Sequence, residues 1–375
     1  MKKLQYLLLI VFMIVSLVGC NFNSSIETNT FDGKNTKVAV VIDSNNINDG
    51  GFNQDTYEGA KTFAEVNNYK YECYQQEKET VTDKDRVKLM RKAVSDGAGI
   101  IVVPGLTQVN AITEVAAESP DVKFIFVDGW NIGMNNVTAI CYSEEEAGYL
   151  AGYAAVKDGY TKLGGTFGGL GTYEACNKYC YGYIQGINKA AQELDIVVDV
   201  VISFLYGESF DESKDLENQI TKWYENGTEV VFSCGGAMIN SVINAANNNQ
   251  EAKIIGVDID QTYLSDRIIT SACKSLKNPV EKTLEIWKEN NWNLELADKS
   301  IKYGVVNNGV YLPTNEESWK FNSFTINEYN DILNNIANGE TIIDSDCPDL
   351  TRFSNNLFWK NVIDTSKNIK LVVEE

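Results

Sequence analysis

The chain has 375 residues, room for two domains at roughly 100–200 residues each. Its 32 basic and 52 acidic side chains give a formal charge of −20, a field that repels phosphate backbones and argues against nucleic-acid binding. There is no histidine, which excludes Ser-His-Asp and Cys-His catalysis and every His-ligated metal.

Met1-Lys2-Lys3 is a short basic start, and Leu7 to Val18 is an apolar run too short to span a bilayer comfortably. It ends in Leu17-Val18-Gly19-Cys20, which resembles a bacterial lipobox. Residues 1–19 are therefore expected to be a lipoprotein signal peptide, with lipid carried on Cys20. The polar stretch 20–36 is expected to be a flexible tether. Loss of Lys2 and Lys3 leaves 30 basic against 52 acidic side chains, a charge of −22. An anionic membrane surface repels such a domain, so lipid has to hold it there. The expected location is outside the cytoplasm, anchored to the cell membrane. Seven cysteines remain after Cys20, an odd number that supports no disulfide framework. Cys176 and Cys180, four apart on a predicted helix, are two thiols and not a metal site. No metal or other cofactor is expected.

From Lys37 the chain alternates short apolar runs with helical patterns. Val38–Ile42, Lys70–Tyr74, Ile100–Val103 and Phe124–Val127 read as strands. Gln54–Val66, Asp85–Ser95 and Gln108–Ala117 read as the helices between them. A join falls near Val137–Ser143, where Ser143 to Glu146 has the form of a capping box. The pattern then restarts. Strands are predicted at Leu163–Phe167, Val197–Leu205, Glu229–Phe232 and Ile254–Val257, and helices at Ala175–Ala191, Leu216–Tyr224 and Ile239–Ala246. After Asp260 the rhythm weakens, with Pro279–Glu289 helical, Lys302–Val306 strand-like and Asn315–Ala337 partly helical. The fold class is α/β, with two units of similar size, each built on a parallel sheet. The expected N-terminal lobe is 37–141 plus about 260–310. The C-terminal lobe is 142–259 plus part of 311–375. No Pro- or Gly-rich linker marks the join, which predicts closely spaced crossings and not one flexible tether.

Ligands of parallel sheets bind beyond the carboxyl ends of the strands. The first strand ends at Asp43, and its loop leads to Gly51-Phe52-Asn53-Gln54. Others end at Asp128, at Phe232 followed by Ser233-Cys234-Gly235-Gly236, and at Asp258-Ile259-Asp260-Gln261. Each carboxylate on its own is also ordinary strand-end or cap chemistry. Together, rings, an amide and carboxylates suit a flat heterocycle bearing a sugar. Rings stack on a base, an amide reads its edge, and carboxylates accept from vicinal hydroxyls. The chain lacks a P-loop of the Lys-Ser/Thr type, so an ATPase would have to be a separate subunit.

These residues resemble the basic membrane protein family of bacterial ABC-transporter substrate-binding lipoproteins, which includes the purine nucleoside receptor type. The likeness runs from about Lys37 to Val310. It is carried by Gly51-Phe52-Asn53-Gln54, Tyr57-Glu58-Gly59, Asp121-Val122-Lys123-Phe124 leading to Asp128, and Glu144-Glu145-Glu146-Ala147-Gly148 with Gly152. Gly182-Tyr183-Ile184-Gln185-Gly186, Gly256-Val257-Asp258-Ile259-Asp260-Gln261 and Thr270-Ser271-Ala272-Cys273-Lys274 follow in order. The resemblance implies a type I periplasmic-binding-protein fold, two doubly wound parallel-sheet lobes with a ligand cleft between them. It also implies that Phe52 and Phe232 sandwich a base, with Asn53 and Asp128 on its edge, and that Asp43 and Gly235 help line the site. Asp258 or Asp260, with Lys274, would hold the ribose. The implied function is capture of a nucleoside, a purine one by preference, by a monomer that delivers it to an ABC permease and its ATPase without chemistry. A sugar or furanose-signal receptor on the same fold, and a nucleoside hydrolase using Asp258 and Asp260, are the alternatives. The segment 311–375 departs from the family pattern, as does Val103-Pro104-Gly105-Leu106.

Overall fold

A computed structural model describes residues 36–43, 47, 51–77, 81–208, 210–347 and 367–374. The expected signal peptide, Cys20 and the tether up to residue 35 lie outside the described residues.

The apolar runs become strands buried on both faces, as expected of parallel sheets covered by helices. The first sheet is built from β1 (Lys37–Val41), β2 (Lys70–Tyr74), β3 (Ala98–Pro104), β4 (Lys123–Val127), β5 (Val137–Tyr142) and β11 (Lys299–Tyr303). Its order is β11-β5-β4-β3-β1-β2, and every pairing is parallel. Helices α1 (Phe52–Asn67) and α8 (Lys277–Lys288) pack together on one side. Helices α2 (Asp83–Ser95) and α3 (Val109–Glu118) cover the other, where Met90, Ile112 and Val115 bury against Ile101 and Phe126.

The second sheet contains β6 (Lys162–Phe167), β7 (Val198–Ser203), β8 (Val230–Cys234), β9 (Lys253–Asp258), β10 (Ile268–Lys274), β12 (Val310–Tyr311) and β13 (Ile369–Glu374). The order is β12-β10-β9-β8-β6-β7-β13, parallel except for the β10–β12 pair. Helices α6 (Lys214–Glu225) and α7 (Met238–Ala246) cover one face through Leu216, Ile220 and Val242. Helices α4 (Glu144–Lys157) and α5 (Glu174–Leu194) cover the other.

The α4–α5 contact is glycine-on-backbone at four points. A Cβ on Gly148 would lie 2.1 Å from the Tyr179 carbonyl oxygen, and one on Gly152 2.2 Å from that of Tyr183. From the other helix, a Cβ on Gly182 would meet the Glu145 carbonyl oxygen at 1.9 Å, and one on Gly186 that of Tyr149 at 2.0 Å. Only residues without a side chain permit so close an approach.

Three short crossings join the sheets: Ser143 between β5 and α4, Ser275–Leu276 between β10 and α8, and residues 304–309 between β11 and β12. They are tied to one another. Ser143 N donates to the Tyr303 carbonyl at 2.8 Å, and Ser275 N to the Gly309 carbonyl at 2.8 Å. Tyr142 Oη donates to the Ser275 carbonyl at 3.0 Å.

Three sequence expectations are corrected here. The lobe boundary moves, because β10 and β12 pair within the second sheet; of the 260–310 stretch, residues 277–303 go with the first. Strands β5, β10 and β13 add to those the sequence pattern predicts: Thr138, Cys141, Thr270 and Lys274 break the apolar runs of β5 and β10, and β13 is an edge strand carrying Lys370 and Glu374. The Ser143–Glu146 capping box does not form: Ser143 makes no side-chain cap, and Glu146 accepts from Val305 N at 2.6 Å in the third crossing.

The chain beyond β12 completes the second lobe. Trp319, Phe321, Phe324 and Tyr329 form an aromatic cluster, with Trp319 and Phe324 stacked at 5.7 Å. Lys320 N donates to the Ile269 carbonyl at 3.0 Å, and the Tyr329 hydroxyl accepts from Leu312 N at 2.7 Å. Helix α9 (Ile326–Ala337) starts in a capping box of Thr325 and Glu328. Strand β13 adds an edge to β7, and Glu374 accepts from Trp223 Nε1 at 2.9 Å and Gln219 Nε2 at 3.0 Å.

Candidate ligand site at the strand ends

Lys274 is the last residue of β10, just before the second crossing. Its side chain is only 2% exposed, and no lysine is left so dry without partners. The partners are three carboxylates. Asp128 accepts at 2.8 and 2.9 Å, Glu144 lies 3.4 Å away and Asp258 3.6 Å. Asp128 follows β4 of the first sheet; Asp258 ends β9 of the second; Glu144 opens α4 beyond the first crossing. One ammonium thus ties together groups from both sheets.

Asp128 and Asp258 share a further property. Each has a left-handed backbone, at φ 62° and 65°. Aspartate tolerates that conformation better than most residues, but it remains uncommon outside glycine. Each strand ends in a sharp turn that presents its carboxylate toward Lys274.

Aromatic rings wall the ammonium. Its Nζ is 5.4 Å from the ring centre of Tyr179, 5.5 Å from Tyr142 and 6.0 Å from Phe52, within cation–π range. The Tyr179 hydroxyl donates to the Ala272 carbonyl at 3.2 Å and lies 3.4 Å from Asp258 Oδ1. Burial lowers the affinity of Lys274 for its proton, but Asp128, Asp258 and Glu144 outweigh it and raise the pKa well above the ordinary lysine value. Burial raises Asp258 above the ordinary aspartate value against the pull of Lys274. It pushes Glu144 up to about 7, with Lys274 opposing and Asp128 reinforcing the rise.

The other expected residues fall into three groups. Phe52 and Asn53 open α1, part-buried, with the Phe52 ring beside Lys274. Asp43 follows β1 by two residues and is engaged within the first lobe, accepting from Arg86 Nε at 2.8 Å and Thr107 Oγ1 at 2.5 Å. Asp260 is likewise turned away. It accepts from Thr262 N at 3.1 Å, Thr262 Oγ1 at 2.6 Å and the Ser318 hydroxyl, in the tail. Burial would raise its pKa, but these bonds hold it below the ordinary value. Of the pair Asp258 and Asp260, it is Asp258 that faces Lys274.

Phe232 corrects the sequence expectation. It is 0% exposed, enclosed by Phe167 at 5.5 Å, Tyr183 at 5.2 Å and Tyr179 at 5.9 Å. It is core, with no open face for stacking. The ring at that end of the second sheet is Phe210, part-buried and edge-on to Tyr173 at 4.9 Å. Three glycines of the β6 and β8 loops make room for it. A Cβ on Gly168 would lie 2.3 Å from Phe210 Cε1, and one on Gly235 2.9 Å from Cδ1. On Gly236 a Cβ would meet the Phe210 carbonyl oxygen at 3.1 Å. Gly235, at φ 154°, shapes the seat of a ring.

Sequence reasoning passed over Tyr142, Glu144, Tyr179 and Phe210. The strand-end rule would have selected Tyr142 and Glu144 had β5 been read as a strand. Nothing in sequence marks Tyr179, whose place depends on the α4–α5 glycine contact.

Two parallel-sheet lobes, three crossings and a polar cluster at the strand ends define a two-lobed binding protein of the periplasmic type I class. The chain belongs to the Bmp family, described as ABC transporter substrate-binding protein PnrA-like, which matches residues 36–346, so the part of the tail up to residue 346 lies within the family pattern and not outside it as expected. It is 26% identical over 313 residues to the ABC transporter nucleoside-binding protein BmpA of Lactococcus lactis subsp. cremoris, covering 79% of this chain and 86% of that one. It is 25% identical over 318 residues to Basic membrane protein B of Borreliella burgdorferi, covering 81% and 87%. A solute-binding protein of an ABC transporter system from Aeropyrum pernix K1 has the same fold. Its TM-score is 0.70 at 17% identity, over 88% of this chain and 99% of that one.

Proposed function

We propose that this protein captures a nucleoside, preferentially a purine nucleoside, between its lobes and delivers it to an ABC permease driven by a separate ATPase. The observation that carries the reading is the Lys274 cluster, with an aromatic ring at its side and carboxylates from both sheets. Charged acceptors of this kind suit vicinal ribose hydroxyls. The nucleoside-binding name of the Lactococcus relative supports it. In this reading Phe52 stacks on the base with Phe210 in the role first expected of Phe232. Asn53 and Asp128 read the base edge, and Asp258 with Lys274 holds the ribose. No step of chemistry is assigned. Capture follows closure about the three crossings, the hinge mode of two-lobed receptors. Lipid on Cys20, after the Leu17-Val18-Gly19-Cys20 motif, would anchor a monomer to the outer face of the cell membrane.

A thermal-shift and calorimetric screen of guanosine, inosine, adenosine, uridine, cytidine, ribose and free bases tests this. Binding of a purine nucleoside is expected to add about 2.7 kcal/mol of stability at a hundredfold excess over its Kd. A shift with ribose alone equal to that with any nucleoside would move the reading to a sugar receptor. No shift with any nucleoside would overturn it.

A further inference from the structure

We propose that Glu144 is a specificity-determining residue of this site, making it select uncharged ligands over anionic ones. The proposal rests on the nucleoside reading and deepens it. Lys274 is, among the described residues, the only basic side chain within 4 Å of Asp128, Asp258 or Glu144. Lys178 also acts on Glu144, but from beyond 4 Å and while paired with Glu174 at 2.6 Å. Asp128 and Asp258 alone exceed the charge of Lys274. Glu144, its side chain 5% exposed, adds a third carboxylate where water cannot screen it. The surplus favours a ligand that brings hydrogen-bond donors. It disfavours a phosphate or carboxylate on the sugar, since like charges brought together in an interface repel each other.

The charge of Glu144 is set by groups on four sides. Lys274 comes from β10, Asp128 from the β4 end, Lys178 and Tyr179 from α5, and Cys141 and Tyr142 from β5. Their balance with burial leaves it ionising near neutral pH. The discrimination therefore sharpens as pH rises from about 6 to 8.

The test is calorimetry on the full chain and on Glu144→Gln with three probes: guanosine, guanosine 5′-monophosphate and guanosine carrying a 5′-carboxylate. The native protein should bind both anions roughly a hundredfold or more weaker than guanosine at pH 8. Its preference over the carboxylate, whose charge is constant in this range, should shrink several-fold at pH 6. In Glu144→Gln the preference should be about tenfold smaller and flat with pH. Guanosine bound with the same preference over both anions in native protein and variant, or a native preference that ignores pH, would overturn the role of Glu144 alone. The second measurement needs no variant to fold. Failure of guanosine itself to bind the native protein would overturn the nucleoside reading and this inference with it.

Discussion

A lysine with three carboxylates at one strand end is an unstable arrangement unless each charge has its counterweight. Breaking such a set leaves an uncompensated buried charge, which costs more than the set contributes when intact. Glu144 is the member that yields, because its carboxyl sheds cost by holding a proton. That gives a sign for pH dependence. A carboxyl whose pKa is raised on folding binds more protons folded than unfolded, so its stabilisation is complete below the unfolded value. Stability is then lost as pH rises through the folded value. For Glu144 the window is from about 4.5 to about 7. Denaturation midpoints at pH 4.5, 5.5, 6.5 and 7.5 should show the native protein losing stability relative to Glu144→Gln across this window and holding level above it. A difference that grows in the opposite direction would mean that Glu144 is ionised throughout. The residue scale also shows what sequence could reach. Asp128 and Asp258 were legible because they end recognisable apolar runs. Phe232 was misread because a phenylalanine in a strand points to one face or the other, and the run Val230-Val231-Phe232 does not say which. Phe210 was hidden because a ring in an irregular loop follows no period.

Among the elements, the α4–α5 pair decides where the cluster stands. Its glycines at positions 148, 152, 182 and 186 repeat every four residues on each helix, so they line one face. The resemblance to the family rested partly on these residues, and the structure gives them a packing role rather than a ligand role. They bring Tyr179 of one helix and Glu144 of the other to the same lysine. Gly182→Ala would set a Cβ against the backbone of Glu145, where no rotamer change can relieve it. The gain of roughly 1 kcal/mol in helix propensity is outweighed by overpacking of about 3 kcal/mol, for a net loss near 2 kcal/mol. Urea titration should show the midpoint falling with an unchanged slope. An Ala variant as stable as the native chain would show that the helices separate freely, and the site would not depend on their contact. Helices were the easier elements to read, since amphipathic periods survive polar interruptions. Strands β5 and β10 carry threonine, cysteine and lysine at places where a parallel strand is usually apolar, and β13 is an edge strand with an exposed Val372. Their identity depends on the neighbours they pair with, which no local pattern contains.

At the scale of the whole molecule, lobes joined three times can move only if the three crossings bend together. Their ties make them one hinge: Ser143 to Tyr303, Tyr142 to Ser275, Ser275 to Gly309, and Val305 to Glu146. The absence of a Pro- or Gly-rich linker foretold close crossings. The assignment of β10 to the second sheet was not foretold, and it is what places Lys274 at the base of the hinge. Gly304 stands where the first and third crossings meet. A Cβ there would lie 2.6 Å from Glu146 Oε2 and 2.9 Å from Ser143 Oγ. Its φ of −139° is open to any residue, so the constraint is space and not backbone strain. Gly304→Ala should therefore turn the Glu146 carboxylate aside and break its bond from Val305 N, which ties the third crossing to α4. Overpacking of this kind costs about 1–3 kcal/mol. If the crossings act as one hinge, the same change should weaken ligand binding several-fold and leave a larger radius of gyration in the presence of saturating ligand, read by small-angle scattering. A variant that loses stability but closes on ligand to the native radius would show that the crossings bend independently. The Lys274 cluster would then sense the ligand without governing closure.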